Sequence, residues 1–312
     1  MTLTEALKKF GIPVPDNIFD YDKEKYSEFD NMYLKSFYDT FYTAGRNNKS
    51  VGDGKKIAVV LGGQTGAGKS ALVAETKREF AKNGRRRVLI DDDSYRSLYP
   101  YGEEILKECP EHYTNITATA TRYITPKILK FASENGYNFI FDGTMKNPRI
   151  VETMRSWKGY SIQAKIMATC RLQSLMGLAI RNGELRRLGR EGRYISIDAH
   201  DETYKGIPDT LKLLEATGLA EEIKIYTRGA DPIYPIERFS SLMEPEKSSG
   251  DKLIELREDD ERVFLKNIEQ DLQYLKSLSS SLSEEERESA NKIIEMIKER
   301  KEITGKIGKG EK

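Results

Sequence analysis

The sequence predicts an α/β fold in which a parallel β-sheet is covered by helices on both faces. Short apolar runs alternate with helical stretches from residue 55 to residue 235, and this alternation is typical of βαβ units. A glycine-rich turn joins the first apolar run to the first helical stretch. Helical patterns also occur before residue 55 and after residue 235. We therefore expect three regions, 1–54, 55–235 and 236–312.

The N-terminal region, residues 1–54, is expected to be a helical segment followed by a polar linker. Pro13 and Pro15 prevent an early helix from continuing. A helical pattern then covers residues 23–42 and places aromatic residues four apart, at Phe29, Tyr33, Phe37 and Phe41. This aromatic stripe predicts a face that packs on the main domain. A docking surface for an inhibitor or partner is the alternative interpretation.

The central region, residues 55–235, contains the predicted sheet. Its strands are expected at Ile57–Leu61, Arg87–Ile90, Phe139–Phe141, Ile162–Ala168 and Ile223–Tyr226. Its helices are expected at 69–82, 113–134, 148–157, 171–188 and 201–216. Right-handed crossovers bring the carboxyl ends of parallel strands to one edge of the sheet, where ligands bind. Functional residues are therefore sought directly after the strands.

The C-terminal region, residues 236–312, is predicted to be a linker, a helical hairpin and a disordered tail. Serine-rich sequence at 240–250 indicates the linker, and a charged helix follows from 251 to 278. Its apolar residues have the 3-4-3 spacing of a coiled-coil seam, at Leu265, Ile268, Leu272 and Leu275. Ser283 with Glu286 is a capping-box pattern that starts a second helix. We expect the hairpin to pack on the core or on another subunit, and residues 305–312 to be disordered.

The glycine-rich turn is the stretch from Gly63 to Ser70, Gly-Gln-Thr-Gly-Ala-Gly-Lys-Ser. It matches the P-loop pattern G-x-x-x-x-G-K-[ST], and a strand and a helix flank it as that motif requires. Glycines let phosphate oxygens approach main-chain N–H groups, and the following helix adds its positive end. Lys69 is expected to contact the β- and γ-phosphates and the Ser70 hydroxyl to bind Mg²⁺. The sequence therefore predicts a site for ATP and Mg²⁺ formed by Gly63, Gln64, Thr65, Gly66, Ala67, Gly68, Lys69 and Ser70.

Acidic residues follow the second and third predicted strands. In the stretch Asp91-Asp92-Asp93-Ser94-Tyr95-Arg96, an extended backbone would place Asp91 and Asp93 on one face. One of them is a candidate general base toward a substrate hydroxyl, while a neighbour helps to place Mg²⁺. Asp142 and Thr144 add a second acid and a polar partner after the third strand. A solvated acidic turn at 91–96 and a helix cap at Asp142 are the structural alternatives.

Arginines are concentrated after the fourth predicted strand and are separated by glycines. They are Arg181, Arg186, Arg187, Arg190 and Arg193. Such a segment suits a lid that closes over phosphates and neutralises charge on the transferring group. A solvated basic face is the structural alternative, and RNA contact is disfavoured because few aromatic residues are interleaved. After the fifth strand, Arg228 is a candidate to stack on the adenine base.

Composition narrows the classes of function. The chain has 51 basic and 50 acidic residues, a net charge of +1, which argues against bulk nucleic-acid binding. Cys109 and Cys170 have no metal-binding spacing with each other or with the histidines, and we expect them to be ordinary thiols in a reducing compartment. No apolar run is long enough to span a membrane, and the N-terminus lacks the pattern of a secretion signal. These features predict a cytoplasmic protein.

Four motifs, in their order along the chain, resemble those of the zeta toxins. They are Gly62–Ser70, Ile90–Arg96, Gly136–Thr144 and the Arg181–Arg193 segment that leads into Ala199-His200-Asp201. The resemblance covers roughly residues 55 to 230. It implies a P-loop kinase core that uses ATP and Mg²⁺ to phosphorylate the sugar 3′-hydroxyl of UDP-N-acetylglucosamine, which blocks the use of a cell-wall precursor. It also implies an antitoxin protein that covers the ATP site.

The resemblance also implies roles for individual residues. Lys69 and Ser70 would serve the phosphates and Mg²⁺, Asp93 would be the base for the sugar hydroxyl, and Arg181 and Arg193 would stabilise charge. The predicted substrate-contacting residues are Asp93, Arg96, Asp142 and Thr144. Asp142 stands where the family more often has glutamate, and Met145-Lys146 replaces a more usual pair.

Two other functions stay open at the level of sequence. One is a kinase of another small hydroxylated molecule. The other is a nucleotide-gated binding protein, which would bind ATP without acceptor-dependent turnover. In addition, the acidic and aromatic residues 1–50 could cover the arginine segment as a built-in inhibitor, in which case their deletion should raise activity.

Overall fold

The structure is a computed structural model that describes residues 5, 8–10, 54–96, 101–190, 192, 194–229 and 234–308. Three of the predictions concern residues outside these ranges. They are most of the N-terminal segment 1–54, Arg193, and the last four residues of the predicted tail, 309–312.

A six-stranded sheet lies at the centre of the described structure. Its strands are β1 (Lys56–Gly62), β2 (Val88–Asp91), β3 (Phe139–Asp142), β4 (Tyr160–Met167), β5 (Glu222–Thr227) and β6 (Ile236–Ser240). Their spatial order is β2-β3-β1-β4-β5-β6. Strands β1 to β5 are parallel, and β6 pairs antiparallel with β5. The predicted parallel sheet is confirmed, and the turn after β1 emerges between β3 and β4.

Helices connect the strands and extend the chain beyond the sheet. They are α1 (Lys69–Lys82), α2 (Asp92–Arg96), α3 (Gly102–Glu108), α4 (Pro110–Glu134), α5 (Arg149–Arg155), α6 (Arg171–Arg187), α7 (Ile197–Thr217), α8 (Ser249–Asn267), α9 (Glu269–Leu278) and α10 (Glu284–Gly308). The helices predicted in the central region are all present. Among the described helices, none combines the length and the apolar character needed to cross a membrane.

The sheet is buried on both of its faces, as predicted. Side chains alternate between the faces of a strand, and in β1 Ala58 and Val60 belong to the largest apolar cluster. Val59 and Leu61 belong to a different cluster, which contains Leu72 and other apolar residues of α1. The near-continuous apolar sequence of β1 is therefore explained by burial on two sides.

The C-terminal helices pack on the core. Leu253 and Leu256 of α8 belong to the same cluster as the sheet. Further along, apolar residues of α8, α9 and α10 form a second cluster with Leu172 and Leu175 of α6. Of the two packing modes that the sequence left open, the structure therefore shows the hairpin against the core of its own chain.

The predicted capping box at the start of α10 is also confirmed. The Ser283 N–H donates to Glu286 Oε2 at 3.0 Å, and the Glu286 N–H donates to Ser283 Oγ at 3.3 Å. These reciprocal bonds satisfy donors that the first turn of a helix leaves unpaired.

Several boundaries differ from the prediction. The predicted linker contains the end of β6 and the start of α8, because β6 is an edge strand whose first three residues are exposed and give little apolar signal. Helix α3 was not predicted. The predicted helix 251–278 is divided at Ile268 into α8 and α9, although its apolar spacing continues across the division. Helix α10 extends to Gly308, so the prediction of disorder is wrong for residues 305–308.

Candidate active site

The loop between β1 and α1 has a backbone that requires glycine. Gly63, Gly66 and Gly68 have φ angles of 140°, 81° and 95°, a range that other residues adopt only with strain. The Gly63 N–H donates to the carbonyl oxygen of Thr144 at 3.1 Å. A Cβ atom on Gly66 would lie 2.1 Å from the carbonyl oxygen of Ser174. Gly66 is therefore needed for close packing against α6 as well as for its backbone angle.

The positive end of α1 follows this loop directly. The helix begins at Lys69, has no acidic residue in its first turn and no side chain bonded to its first N–H groups from the cap position. Lys69 is partly exposed and Ser70 is exposed. The first N–H groups of a helix have no partner within the helix, and they attract anions. A cation and a hydroxyl thus stand beside a phosphate-binding helix end, which is the arrangement that a P-loop requires.

The side chain of Gln64 points away from this end and into the protein. It is completely buried, and its Nε2 atom donates to the carbonyl oxygen of Thr169 at 2.8 Å. The sequence had assigned Gln64 to the nucleotide, but the buried amide leaves only its backbone for that purpose. The side chain instead fixes the base of the loop.

Arg228 also lies behind the loop. Its guanidinium donates to the carbonyl oxygens of Gly66 and Ala67, and burial lowers the pKa of Arg228. The Thr169 hydroxyl donates to the same Ala67 carbonyl at 2.8 Å. Arg228 was predicted to stack on adenine. The structure shows Nε and Nη2 of Arg228 directed at carbonyl groups of the loop, which they support, and stacking on adenine stays a prediction.

Asp142 is the acidic residue most deeply set at this edge of the sheet. It ends β3, opposite Leu61 of β1 and Asp91 of β2. Burial raises the pKa of Asp142 to about 6, with Lys69 opposing this shift and the charges of Asp91 and Asp93 adding to it. Its Oδ1 atom is buried and accepts no hydrogen bond from the residues that the structure describes. A buried carboxylate oxygen without a donor is costly, and Mg²⁺, water or a substrate hydroxyl would satisfy it.

Asp91 and Asp93 are arranged differently from the prediction. The strand ends at Asp91, and α2 begins at the next residue, so the alternation of an extended chain does not apply to Asp93. Asp91 accepts hydrogen bonds from the Asp93 N–H at 3.0 Å and from the Ser94 hydroxyl at 2.6 Å. Asp91 is therefore a helix cap. Asp93 is exposed at the start of α2.

Arg96 joins α2 to α4. Its Nη1 donates to the Thr117 hydroxyl at 2.6 Å and to the Thr114 carbonyl oxygen at 3.2 Å. Its Nε atom lies 3.1 Å from Asp93 Oδ1. The Nε and Nη1 donors of Arg96 are thus engaged with the protein, and the Nε contact orients the carboxylate of Asp93. The predicted contact of Arg96 with the substrate stays a prediction.

Thr144 lies in the irregular segment after β3. Its carbonyl oxygen accepts the Gly63 N–H, and its hydroxyl accepts the Lys146 N–H at 3.4 Å. Met145 is buried and has a positive φ of 54°, an uncommon conformation for a residue with a side chain. The segment after β3 is thus fastened to the nucleotide loop.

The first part of the arginine segment lies in the helix predicted at 171–188, which the structure confirms as α6. Arg181, Arg186 and Arg187 belong to α6, and Arg181 is exposed, while Arg186 pairs with Glu286 of α10. Gly183 was interpreted as a break in a lid, but a Cβ there would lie 2.8 Å from Leu278 Cβ, so this glycine allows α6 to approach α9. A lid can therefore begin only after Arg187, and Arg193 lies outside the described residues.

The sequence did not identify a buried group of polar residues beside the loop. Ser174 Oγ lies 2.8 Å from His200 Nε2, and His200 Nδ1 lies 3.1 Å from Asp201 Oδ1. Asp201 forms two bonds of 2.7 Å with Arg171. These three residues have the identities of a serine-hydrolase triad, but Ser174 is completely buried and no substrate reaches it. The motif Ala-His-Asp was noted in the sequence, yet only the fold shows that it faces Ser174.

Comparison with known proteins gives a consistent result. The family model described as Zeta toxin matches residues 43–238. The toxin PezT of Streptococcus pneumoniae is 29% identical over 202 residues, which are 62% of this chain and 79% of that protein. The toxin zeta of Enterococcus hirae is 28% identical over 252 residues, which are 78% of this chain and 85% of that protein.

Solved structures are similar as well. One, from the PezAT chromosomal toxin–antitoxin system of Streptococcus pneumoniae, has a TM-score of 0.63 and 25% identity, and the match covers 84% of this chain and 98% of that one. Another, from the AvrRxo1-ORF1:AvrRxo1-ORF2 complex with sulphate ions, has a TM-score of 0.53 with 9% identity and covers 88% and 95%. The second likeness concerns the fold alone.

Proposed function

This chain belongs to the zeta toxin family, and from that premise we propose that it phosphorylates the sugar 3′-hydroxyl of UDP-N-acetylglucosamine with ATP and Mg²⁺. Its relatives are toxins, and membership of the family supports the general function of a toxin kinase. The acceptor is the finer part of the proposal. It comes from the resemblance of the four motifs and is open to direct test.

One observation supports a kinase site most strongly. The unpartnered, buried oxygen of Asp142 lies at the same sheet edge as the positive end of α1 and interacts electrostatically with Lys69. A phosphate-binding helix end and an acid that accepts metal or hydroxyl are the two halves of a phosphoryl-transfer site. Most buried carboxylate oxygens have a donor, and the oxygen of Asp142 lies near Lys69, where a bound metal or hydroxyl could supply its partner.

The chemistry proposed for this site is an in-line transfer. The acceptor hydroxyl oxygen forms a bond to the γ-phosphorus while the bond from that phosphorus to the β–γ bridging oxygen breaks, and ADP leaves. The Asp93 carboxylate takes the hydroxyl proton, with Arg96 holding it in place. Lys69, Arg181 and Arg193 offset the charge on the transferring group. Ser70 would hold Mg²⁺, which neutralises phosphate charge when bound, and Asp142 with Thr144 would contact the acceptor.

A mass-based acceptor screen tests this function. The purified full chain is incubated with ATP and Mg²⁺ and with UDP-N-acetylglucosamine, UDP-glucose, free sugars and an aminoglycoside. We expect the UDP-amino sugar to gain one phosphoryl group. Lys69→Ala and Asp93→Asn should each abolish the product while the protein stays folded, and Lys82→Ala, at the exposed end of α1, should not.

The outcomes separate the rival functions. Phosphorylation of a different acceptor would make the chain a kinase of another small hydroxylated molecule. ATP binding with no acceptor-dependent turnover would favour a nucleotide-gated binding protein. An Asp93→Asn variant with the wild-type rate would remove the assignment of the base.

We also propose that the site is covered by a protein inhibitor when the toxin is silent. The similar structure from a toxin–antitoxin system supports an antitoxin as that partner, and residues 1–50 are the intramolecular alternative. Deleting residues 1–50 should raise the transfer rate if they inhibit. An unchanged or lower rate would leave a separate antitoxin, which we place with its toxin in the cytoplasm, where ATP and UDP-sugars are made.

A further inference from the structure

The C-terminal helix α8 contributes a buried arginine to the back of the nucleotide loop. Arg257 is 3% exposed. Its Nη2 atom donates to Gln64 Oε1 at 3.1 Å, and its Nη1 atom donates to the Tyr204 carbonyl oxygen at 2.8 Å. Its guanidinium carbon lies 3.9 Å from the centre of the Tyr204 ring. A residue 193 positions away in the sequence thus contacts the second residue of the P-loop.

Keeping this cation inside the protein is costly. Burial lowers the pKa of Arg257 to about 10, and its buried Nε atom has no acceptor within the described part of the chain. Among the described residues no carboxylate pairs with it, so its partners are an amide, a carbonyl and an aromatic ring. A neutral side chain of similar size would generally be cheaper to bury. The cost indicates that the position of Arg257 serves something other than stability.

Arg257 fixes the orientation of Gln64 without ambiguity. A guanidinium only donates hydrogen bonds, so the side-chain oxygen of Gln64 must face it. The nitrogen of the same amide must then face acceptors, and it donates to the Thr169 carbonyl oxygen at 2.8 Å and lies 3.1 Å from Ser174 Oγ. The backbone oxygen of Gln64 accepts the Ala67 N–H at 3.0 Å within the loop. Contacts that hold the Gln64 side chain therefore also hold the backbone of the turn formed by residues 64–67.

From Ser174 the hydrogen bonds continue to His200 and then to Asp201, and the donor of each bond can be assigned. Burial alone would raise the pKa of Asp201, but hydrogen bonds from Arg171 and His200 lower it below its usual value, so this carboxylate accepts from His200 Nδ1. Burial lowers the pKa of His200, which leaves the ring neutral and makes its Nε2 an acceptor for the Ser174 hydroxyl. The chain of bonds ties the loop to α6 and α7, the two helices that flank the segment 188–196.

We propose that Arg257 is a positioning residue for the nucleotide-binding loop, and that the C-terminal helices thereby complete the nucleotide site. The inference rests on the nucleotide site proposed above and goes beyond it, because the family model ends at residue 238. Arg257 does not touch the nucleotide. It acts through Gln64 and, with Arg228, adds positive potential behind the loop.

The test is the affinity of the full chain for ATP in the presence of Mg²⁺, measured by titration calorimetry, with a thermal melt of each variant without nucleotide. The variants are Arg257→Met, Gln64→Met, both together, and Arg257→Lys. The matched control is Arg262→Met, because Arg262 lies on the same helix but is exposed and pairs with Asp259.

We expect Arg257→Met to weaken ATP binding roughly tenfold or more, which is the scale of a lost hydrogen bond to a charged group. Gln64→Met should have a similar effect, and the double variant should be no weaker than the worse single one, because the two residues act as one unit. Arg257→Lys keeps the charge and a donor for Gln64 and should recover part of the affinity. Arg262→Met should bind ATP as the wild type does.

A folded Arg257→Met variant with wild-type ATP affinity would overturn the inference, whatever its melting temperature. Independent, additive losses from the two methionine variants would overturn it as well. If Arg257→Met does not fold, Gln64→Met decides, because it removes the same contact from the other side, and equal affinity with the wild type would be contrary to the proposal. Failure of the wild type to bind ATP would instead contradict the proposed function.

Discussion

At the scale of single residues, Asp142 combines its proposed role in the site with a cost in stability. Its carboxyl interacts electrostatically with Lys69, Asp91 and Asp93, and one of its oxygens is buried without a donor among the described residues. In the nucleotide-free protein this favours the protonated form. Mg²⁺ or an acceptor hydroxyl would supply the missing partner and favour the charged form.

This arrangement predicts that Asp142 destabilises the fold at neutral pH. The folded protein holds the proton with a pKa of about 6, compared with 3.8 in the unfolded chain. Between these values the folded state binds more protons, so the contribution of Asp142 to the free energy of unfolding falls as the pH rises. Asp142→Asn removes this effect, and we expect it to raise the free energy of unfolding at pH 7 by about 3 kcal/mol while abolishing transfer.

Urea unfolding at pH 5 and pH 7 measures the effect. The wild type should lose stability relative to Asp142→Asn between the two values. Asp209→Asn, on α7, is the control for a general aspartate-to-asparagine exchange. An Asp142→Asn protein that is less stable than the wild type at pH 7 would mean that the carboxylate is satisfied in the folded state.

At the scale of elements, the short helix α2 is the part of the site with the least support of its own. It has five residues, too few for a helix to be stable alone, and its position depends on the Asp91 cap at one end and the Arg96 anchor at the other. The proposed base, Asp93, is carried by this helix. Its placement is therefore controlled by contacts with β2 and α4.

We predict that Arg96→Met lowers the transfer rate by roughly tenfold or more without changing ATP affinity, because it releases α2 from Thr117 and removes the partner of Asp93. Steady-state kinetics with varied ATP and acceptor, together with ATP titration, separate the two effects. The matched control is Arg155→Met, since Arg155 forms an i,i+3 pair with Glu152 on an exposed helix surface. An equal fall in ATP affinity and rate would mean that Arg96 supports the nucleotide loop and not the base.

The sequence predicted those elements whose signal is local. Strand β1 is apolar from Ile57 to Leu61 because both of its faces are buried, and the glycines after it mark a turn that only glycine fits. The capping box is also a local signal, because both of its hydrogen bonds join Ser283 and Glu286, three residues apart. Strand β6 was missed because an edge strand with three exposed residues lacks that signal.

The parts of the candidate site that could not be predicted depend on distant contacts. Gln64 lies within a recognisable motif, but its partners are Thr169, Ser174 and Arg257, and nothing local shows that its side chain is buried. Arg96 and Arg228 were recognised as arginines at strand ends, where both substrate contact and structural support are plausible. Only the fold shows that their donors are used by α4 and by the loop.

At the scale of the whole molecule, the C-terminal helices are part of the folding unit. Leu253 and Leu256 lie in the cluster that covers the sheet, and the second cluster takes residues from α6 as well as from α8, α9 and α10. Asp260 of α8 accepts the Cys170 N–H at 2.7 Å, which satisfies the first turn of α6. Removing these helices would therefore expose α6 and one edge of the core to water.

We predict that a chain ending at residue 247 does not fold cooperatively, even though it contains the whole of the family match at 43–238. The loss of buried leucine and isoleucine side chains costs roughly 1.5 to 3 kcal/mol for each residue, and more than a few such losses exceed the stability of a typical domain. A chain ending at residue 308 is the matched control, because it keeps all of α10. Thermal unfolding followed by circular dichroism, with ATP titration of any soluble protein, measures the difference. A chain ending at 247 that unfolds in one sharp transition and binds ATP with full-length affinity would show that the core is complete without α8, and that Arg257 is not needed behind the loop.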